Sequence, residues 1–256
     1  MDNYFSGMAL ACCGSFLPFK MSILILRKAK MTISVGGRNL HFDSTAIRHA
    51  ANRLRFTLVM LLLLSIIAVW SETHSARLVP ALLARFGFSV ADFWSWRWER
   101  LITSALITHG ARAFWGALLM IGVAVGRAEW QTGTRRTFLL FWGAHLLTLL
   151  LLALVAAPLN QLNIGGFALD ATVRDVGPSA GYMACLGLAI ATFPHPWHRI
   201  GALCVLVALI VMLFVSPQVD LDPTVKLFAD LAHLIAFPLG WASYFLIRLH
   251  PDRTHL

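Results

Sequence analysis

The stretch that decides the fold is Asp175-Val176-Gly177-Pro178-Ser179-Ala180-Gly181-Tyr182, which stands at the start of a long apolar segment. Proline is suited to the first position of a helix, where its missing N–H costs nothing, so Ser179 is predicted as the second helical residue. Its backbone N–H and that of Ala180 would then have no acceptor within the helix. The stretch therefore predicts a serine at the mouth of a helix, beside free backbone donors.

A histidine 54 residues further on, His233, is the candidate partner of Ser179. A serine hydroxyl becomes a useful nucleophile only when a base takes its proton, and a histidine can do so near neutral pH. Free N–H groups at a helix start can stabilise a developing oxyanion, and Gly177 lets the backbone come close to a substrate. His109 and His145 are rival histidines, each with packing or hydrogen bonding as the alternative interpretation.

The composition is typical of a membrane protein. The chain has 256 residues, of which 58% are hydrophobic and 13% charged, and its mean hydropathy is +0.72. Soluble domains carry roughly a quarter of charged residues, so the composition excludes an ordinary soluble domain. The net charge of +9 lies between apolar segments and in the N-terminal part, which indicates membrane topology rather than nucleic-acid binding. The four cysteines follow no metal-site or disulfide pattern.

Long apolar segments predict an all-α membrane protein with six spans. They cover residues 56–70, 111–126, 137–157, 178–193, 200–216 and 227–247. Arginines and histidines follow the ends expected inside the cell, which predicts a multi-pass protein of the cell membrane (inner or plasma membrane) with both termini in the cytoplasm. Ser179 would then lie at the outer end of the fourth span. His233 would lie about two turns below the outer end of the sixth.

The segments outside the spans divide the chain further. Residues 1–55 are predicted as an N-terminal cytoplasmic segment. Its apolar stretch, 5–26, is signal-like, membrane-associated, or part of an upstream extension, since Met31 would make a plausible start. Residues 56–247 form the membrane domain, and 248–256 a cytoplasmic tail. The long first loop is rich in tryptophan, which is typical of the membrane interface, and 81–86 is predicted as a short helix in that plane.

Small residues recur on the two helices that carry Ser179 and His233. On the sixth predicted span, one face carries His233, Ala236 and Gly240. On the fourth, one face carries Ser179, Met183 and Gly187. Small residues at such spacing let membrane helices pack backbone to backbone. Asp230 lies one turn before His233 and is a candidate to orient the imidazole, since a carboxylate this near the hydrocarbon is costly without a partner.

These features resemble the rhomboid family of intramembrane serine proteases over roughly residues 56–247. Four motifs of the family have counterparts in this sequence. They are the Gly-x-Ser-Gly motif, the Ala-His pair with a following glycine, the Trp/Arg element of the first loop, and the glutamate and glycine after the second span. They occur in the family's order as Trp98 to Thr103, Glu129 with Gly133, Gly177 to Ala180, and Ala232-His233 with Gly240.

The resemblance implies a six-helix rhomboid-like bundle with a long interfacial first loop. It implies hydrolysis of peptide bonds in or near transmembrane segments of membrane-protein substrates, by a Ser–His dyad without a third acid, a metal or another cofactor. Ser179 would be the nucleophile and His233 the general base. Gly177 and Ala180 would support the oxyanion, with His109 as a candidate donor and Asp230 as a candidate orienting residue. The lipid bilayer, and not nucleic acid, is the expected surrounding partner.

The second span departs from the family pattern. The family's His-x-x-x-Asn donors fall at Ala113 and Ala117 when residues are counted without gaps, or at Phe114 and Leu118 when counted from His109. None of these side chains can donate a hydrogen bond.

This departure favours an alternative, a rhomboid-like pseudoprotease that binds transmembrane helices without cleaving them. A third interpretation is a small transporter or channel with a proton path through Asp230, His233 and His145, although no inverted repeat supports it.

Overall fold

The computed structural model describes residues 31–35, 38–42, 44–162, 171–215 and 223–249. The chain divides into two compact units, Met1–Ala50 and Ala51–Leu256. The apolar stretch at 5–26 and the tail at 248–256, apart from the last helical residues, lie outside the described residues.

The first unit contains a β-hairpin that the prediction of an all-helical chain missed. Strand β1 (Met31–Val35) pairs antiparallel with β2 (Arg38–Phe42), with Met31 opposite Phe42. Helix α1 (Ser44–Arg53) begins in the same unit. The sequence contains a signal for this hairpin, because Met31–Val35 alternates apolar and polar residues, Asn39 to Phe42 does the same, and a Gly-Gly pair lies between the strands.

The second unit is built of helices. The predicted spans at 56–70, 137–157, 178–193, 200–216 and 227–247 each overlap one helix, whereas 111–126 covers two helices and the turn that joins them. The helices are α2 (Arg55–Trp70), α3 (Pro80–Phe86), α4 (Val90–Trp94), α5 (Glu99–Thr103), α6 (Ala111–Met120), α7 (Gly126–Thr132), α8 (Thr134–Leu162), α9 (Ser179–Ala191), α10 (Trp197–Val215) and α11 (Pro223–Leu249). A π-helical turn, Ile121–Val125, joins α6 to α7 without a break. The short helix predicted at 81–86 is present as α3.

Four stretches of helix in the described part are long and apolar enough to cross a membrane. They are Ala111–Thr132, Thr134–Val155, Trp197–Phe214 and Val225–Ile247, and a fifth results if α2 is counted together with the helix before it. Helix α9 is apolar but has only 13 residues. Leu62, Leu119 and Phe214 are each more than 60% exposed, and exposed apolar faces on several helices are what a hydrocarbon surrounding favours. The prediction of a helical membrane protein is thus confirmed in this coarser form.

One end of the bundle is held together by Glu129, whose side chain is 1% exposed. Its carboxylate accepts the backbone N–H groups of Phe56 and Thr57, both at 2.8 Å, and the hydroxyls of Thr57 and Thr134, both at 2.7 Å. The first N–H groups of a helix have no acceptor within it, so Glu129 satisfies two such groups at the start of α2. It also ties the end of α7 to the starts of α2 and α8. We call this end of the bundle the Glu129 end.

The opposite end is formed by the first loop, residues 71–110, and by the start of α9; we call it the serine end. Arg77 and Gly110 form a β-bridge that closes the first loop on itself. Gly110 has φ +153°, and a Cβ there would lie 2.9 Å from the carbonyl oxygen of Ala76, so only glycine fits. Trp96 and Trp98 are exposed and stack with ring centroids 4.9 Å apart.

Helices α9 and α11 pack backbone to backbone in the middle of the unit. A Cβ on Gly240 would collide with the carbonyl of Ala184, and one on Gly187 would lie 2.7 Å from the backbone nitrogen of Trp241. The predicted roles of Gly187 and Gly240 in close packing are therefore confirmed. Met183, predicted on the same face, packs against an apolar cluster that contains Phe237 of α11 as well as Ala202 and Leu209 of α10.

The two helices run in the same direction. Phe228 and Ala232, early in α11, cluster with Phe88 of the first loop, at the serine end. Tyr244, late in α11, packs against the cluster that contains Phe56 and Ala128, near the Glu129 end. Helix α9 starts at the serine end as well, and Thr192 just beyond its last residue hydrogen-bonds to Gln131 in α7. The first two turns of α9 and of α11 thus face the same end of the bundle.

Candidate functional site

Ser179 is the first residue of α9, one position earlier than the sequence predicted. Pro178 is the N-cap, with φ −76° and ψ 10°. The hydrogen bond from Tyr182 N to Pro178 O, at 3.1 Å, is the first that closes a helical turn. The backbone N–H groups of Ser179, Ala180 and Gly181 consequently have no acceptor within the described part of the chain. Three free donors, rather than two, surround the start of the helix.

The backbone before Ser179 turns at Gly177, which has φ +143°, a region that L side chains rarely adopt. Its N–H donates to the carbonyl of Ser104 at 2.7 Å. The nearest atom to a Cβ built there would be Ser179 N, at 4.0 Å, so the need for glycine is conformational and not one of space. Gly177 therefore fixes how the chain enters α9 and leaves the approach to Ser179 open.

Residues 171–178, which we call the serine loop, are attached to the first loop at several points. Phe88 and Asp175 form a β-bridge with N···O distances of 3.0 and 2.9 Å. The N–H of Ala91 donates to Ala171 O at 2.9 Å. With the bond from Gly177, these backbone contacts fix the serine loop at both ends. The position of Ser179 thus depends on the first loop, which is remote in sequence.

A buried carboxylate, Asp92, adds side-chain contacts between the same two loops. It is 3% exposed and accepts from Arg100 Nη1 at 3.0 Å, from Ser89 Oγ at 2.8 Å and from Arg174 Nη1. Burial by itself raises the pKa of Asp92, but the hydrogen bonds from Arg174, Ser89 and Arg100 outweigh it and lower the pKa below its usual value. Sequence reasoning missed this site, although Ser89 and Asp92 have the spacing of a helix-capping pair.

His109 lies at the end of the first loop and binds the serine loop. Its Nε2 and Asp175 Oδ1 are 2.8 Å apart, and their side chains are 15% and 14% exposed. The same Asp175 oxygen accepts the N–H of Val176 at 2.8 Å. The prediction proposed His109 as a donor to an oxyanion, whereas in the structure its Nε2 is engaged by Asp175.

His233, on α11, has two buried ring nitrogens, and neither has a hydrogen-bond partner in the described part of the chain. The predicted hydrogen bond from a ring nitrogen of His233 to Asp230 is therefore absent, and Asp230 Oδ2 accepts from Lys226 Nζ at 2.6 Å. Lys226, one turn before Asp230, was missed by sequence reasoning, although the spacing of four residues is that of a helical ion pair. Buried polar groups without partners are rare, so both ring nitrogens of His233 are available to a neighbour or a ligand.

The packing of α9 on α11 puts Ser179 and His233 at the same depth. Gly240 meets Ala184, and both helices run the same way from the serine end. His233 precedes Gly240 by seven residues and Ser179 precedes Ala184 by five, which is about 10 Å and about 8 Å along the two axes. The two residues are thus within about 3 Å of one level. No hydrogen bond joins the two side chains in the structure, since both ring nitrogens of His233 lack partners.

The inner face of α6 carries no polar side chain at the positions expected for oxyanion donors. Phe114 and Ala117 are buried, at 4% and 3% exposure, and Leu118 packs against the same core. Ala113 is exposed and points away from it. Either way of counting along the second span therefore ends on apolar side chains.

Three further buried polar groups lie on the segments around the site. Ser104 Oγ, Thr108 Oγ1 and His145 Nδ1 have no partner in the described part of the chain, whereas His145 Nε2 is 2.9 Å from Leu101 O. Ser104 and Thr108 both lie in the last part of the first loop. The carbonyl of Ser104 accepts from Gly177, and Thr108 precedes His109, which binds Asp175. Sequence reasoning did not single them out. His145 serves to hold the first loop against α8.

The described residues contain no group of three or more His, Cys, Asp or Glu side chains that could hold a metal ion. No family model matches this chain, and no curated protein matches it either. The function must therefore be argued from the geometry of Ser179, His233 and the loops that hold them.

Proposed function

We propose that the protein is a rhomboid-like intramembrane serine protease, with Ser179 as the nucleophile and His233 as the general base. The observation that carries the proposal is the coincidence of three free backbone donors at Ser179 with an unpartnered buried histidine at the same depth. Burying a histidine with no hydrogen bond to either ring nitrogen costs stability, so such a residue in an apolar surrounding usually has a functional role. A serine at a helix start supplies the matching hydroxyl.

The chemistry follows from these positions. A ring nitrogen of His233 takes the proton of Ser179 Oγ as this oxygen bonds to the carbonyl carbon of a peptide, and the electron pair of the C=O bond moves to its oxygen. The N–H groups at the start of α9 stabilise that oxyanion, helped by the helix dipole. His233 then gives the proton to the leaving amine as the C–N bond breaks. Water releases the acyl group by the same steps.

The missing side-chain donors on α6 set the expected rate. Loss of one oxyanion donor costs on the order of a hundredfold to a thousandfold in turnover. Phe114 and Ala117 cannot supply such a donor, so the backbone groups at Ser179, Ala180 and Gly181 carry the stabilisation. We therefore expect a slow protease.

The bundle supports a substrate inside the bilayer. We infer six crossings of the cell membrane, with α2 and the short helix α9 as the two that fall below the usual length, and both termini in the cytoplasm. Helix α9 spans about 20 Å against about 30 Å of hydrocarbon, which leaves Ser179 below the surface at the serine end. A transmembrane segment of another protein, unwound near that depth, is the substrate class that fits.

The test is labelling of the purified protein, in detergent and in liposomes, with a serine-reactive fluorophosphonate. Wild type should be labelled, and Ser179→Ala and His233→Ala should not be, while Ser75→Ala, an exposed serine of the first loop, should behave as wild type. Cleavage of transmembrane substrates should follow the same pattern. Absence of labelling in wild type together with absence of cleavage of every substrate tried would refute the proposal.

A second function is favoured by one observation, the apolar inner face of α6. Without side-chain donors the same bundle serves a pseudoprotease, which binds transmembrane helices and alters their fate without cutting them. In that case the Ser179→Ala protein would still co-purify with its helix partners and support the cellular phenotype. A phenotype lost with Ser179→Ala excludes this alternative.

A further inference from the structure

The Glu129 end of the bundle exposes positive charge and, within the described residues, no acid. Its exposed arginines are Arg53, Arg55, Arg127, Arg135 and Arg199. Glu129 itself is buried and already accepts four hydrogen bonds. The exposed acids of the described residues, Glu72 and Glu99, both lie in the first loop at the serine end. A surface with this charge attracts an anionic partner.

Two of these arginines meet on one face of α7. The guanidinium of Arg53 lies over the ring of Trp130, 5.2 Å from the ring centroid. Arg127 precedes Trp130 by three residues, so the two side chains are neighbours on the helix surface, with Cβ atoms about 5–6 Å apart. Arg53 and Arg127 are therefore close enough to bind a single anionic headgroup.

Neighbouring side chains hold both guanidinium groups in place. Stacking on Trp130 uses the flat face of the Arg53 guanidinium, so its N–H groups remain at the edge, where they can donate to a phosphate. With its amide oxygen toward Arg127, Gln131 accepts from Nε at 3.2 Å and from Nη2 at 3.0 Å, and its amide nitrogen donates to Thr192 Oγ1 at 2.7 Å. Nη1 of Arg127 takes no part in this contact. The arginine is thus positioned at the surface with donors to spare.

An exposed apolar surface continues from Arg127 along the same unbroken helix. Val123 is 60% exposed and Leu119 is 66% exposed, and they precede Arg127 by four and eight residues. Residues at such intervals lie near one side of a helix. Trp130, at the charged end, is of the residue type that favours the boundary between headgroups and hydrocarbon. The surface therefore matches a ligand that has an anionic head and apolar chains, whereas a free phosphate ion would contact the arginines alone.

We propose that this face of α7 and α6 binds an anionic phospholipid. The phosphate accepts charge-assisted hydrogen bonds from Arg53 and Arg127, and an acyl chain lies along Val123 and Leu119. The proposed topology places this end in the cytoplasmic leaflet, whose anionic lipids attract basic side chains. The lipid site is at the opposite end of the bundle from Ser179, so it goes beyond the proposed protease activity and does not depend on it.

The test is native mass spectrometry of the full-length protein in a neutral detergent, titrated with phosphatidylglycerol or with phosphatidylcholine. Wild type should bind phosphatidylglycerol more tightly. Arg53→Gln and Arg127→Gln should each lower the affinity for phosphatidylglycerol about fivefold and leave that for phosphatidylcholine unchanged. Arg127→Lys keeps the charge and should bind within about twofold of wild type. Arg85→Gln is the matched control, because Arg85 is also exposed and lies 5.3 Å over an aromatic ring, that of Phe86, but at the serine end.

Equal affinity of wild type for the two lipids overturns the inference. A loss in Arg85→Gln as large as that in Arg127→Gln also overturns it, because the lipid would then respond only to net charge. A loss in Arg127→Lys as large as that in Arg127→Gln would assign the effect to the contact with Gln131. Glycerol 3-phosphate at the lipid concentration should not displace phosphatidylglycerol, and displacement would exclude a role for the apolar surface. Binding is measured without catalysis, so a failure of the proposed protease activity leaves this result unaffected.

Discussion

At the scale of single residues, the glycines of α9 and α11 leave no room for a larger side chain. The backbones of the two helices touch at Gly187 and Gly240, and Gly181 lies against the ring of Phe141, 2.6 Å from where a Cβ would be. Neither contact has a flexible side chain end that could move aside at low cost, because the neighbour is backbone or a buried ring. Gly187 and Gly240 therefore set the distance between the helices that carry Ser179 and His233, and Gly181 sets the distance between α9 and α8.

Gly240→Ala should destabilise the protein by about 3 kcal/mol, the upper part of the range for overpacked cores, because its Cβ would collide with the carbonyl of Ala184. Gly143→Ala on α8 is the matched control, since nothing lies within 4 Å of its Cβ. The Gly143→Ala variant should be more stable than wild type by up to about 1 kcal/mol, because alanine has a higher helix propensity than glycine. Thermal unfolding in one detergent compares the two variants. A Gly240→Ala protein as stable as wild type would contradict the backbone contact.

At the scale of elements, two carboxylates join segments that are far apart in the chain. Glu129 caps α2 at one end of the bundle, and Asp92 links the first loop to the serine loop at the other. Each leaves several donors unsatisfied if it is removed. The two clusters thus hold the helix starts and the loops on which the candidate site depends.

Glu129→Ala should cost about 3 kcal/mol or more, because two backbone N–H groups and two hydroxyls would lose a charged acceptor in a buried place. The loss should appear as easier exchange of the amide hydrogens in the first turn of α2, together with a lower unfolding temperature. Glu99→Ala changes an exposed acid of the first loop and should leave both measurements near wild type. Unchanged exchange at Phe56 and Thr57 in the Glu129 variant would be inconsistent with the cap.

The Asp92 cluster should make the loops acid-sensitive. The pKa of Asp92 is lowered in the folded protein from its usual value of 3.8, so its contribution to stability is complete above that value. The contribution is lost as the pH falls from 3.8 through the lowered pKa. Asp92→Asn should remove this component, so the difference in unfolding temperature between the two proteins should shrink in acid. Limited proteolysis of the first loop over the same pH range gives a second measurement. A difference in unfolding temperature that stays constant into acid would contradict the role given to the Asp92 carboxylate.

At the scale of the whole molecule, the bundle has a serine end and a Glu129 end, and α9 and α11 both run from the serine end toward the Glu129 end. Position 75 lies in the first loop and position 195 just past α9, so the two belong to opposite ends. In a chain without its native cysteines, Ser75→Cys should react with an impermeant maleimide in intact cells. His195→Cys should react only after permeabilisation. Reaction of both from one side would exclude a crossing by α9.

The helical membrane architecture could be predicted from the sequence, because long apolar segments can only be satisfied as helices in a bilayer. The small residues at Gly187 and Gly240 also indicated where two helices meet. The contact of Asp92 with Arg174 joins residues 82 positions apart and leaves no periodic signal. The pairing of His109 with Asp175 was unpredictable for the same reason, and the π-helical turn at 121–125 has no sequence pattern at all.

That π-helical turn, Ile121–Val125, lies between Ala117 on α6 and Glu129 on α7. A turn of this kind contains one residue more than an α-helical turn, and so it acts as a tolerated insertion. Deleting one residue within it would restore the regular spiral and rotate all of α6 by about 100° against the anchored Glu129. Side chains of α6 that are now exposed would then turn toward the interior of the bundle, where Phe114 and Ala117 now lie. The side chains that α6 presents to the interior of the bundle can therefore change by a single codon, without any change to α9 or α11.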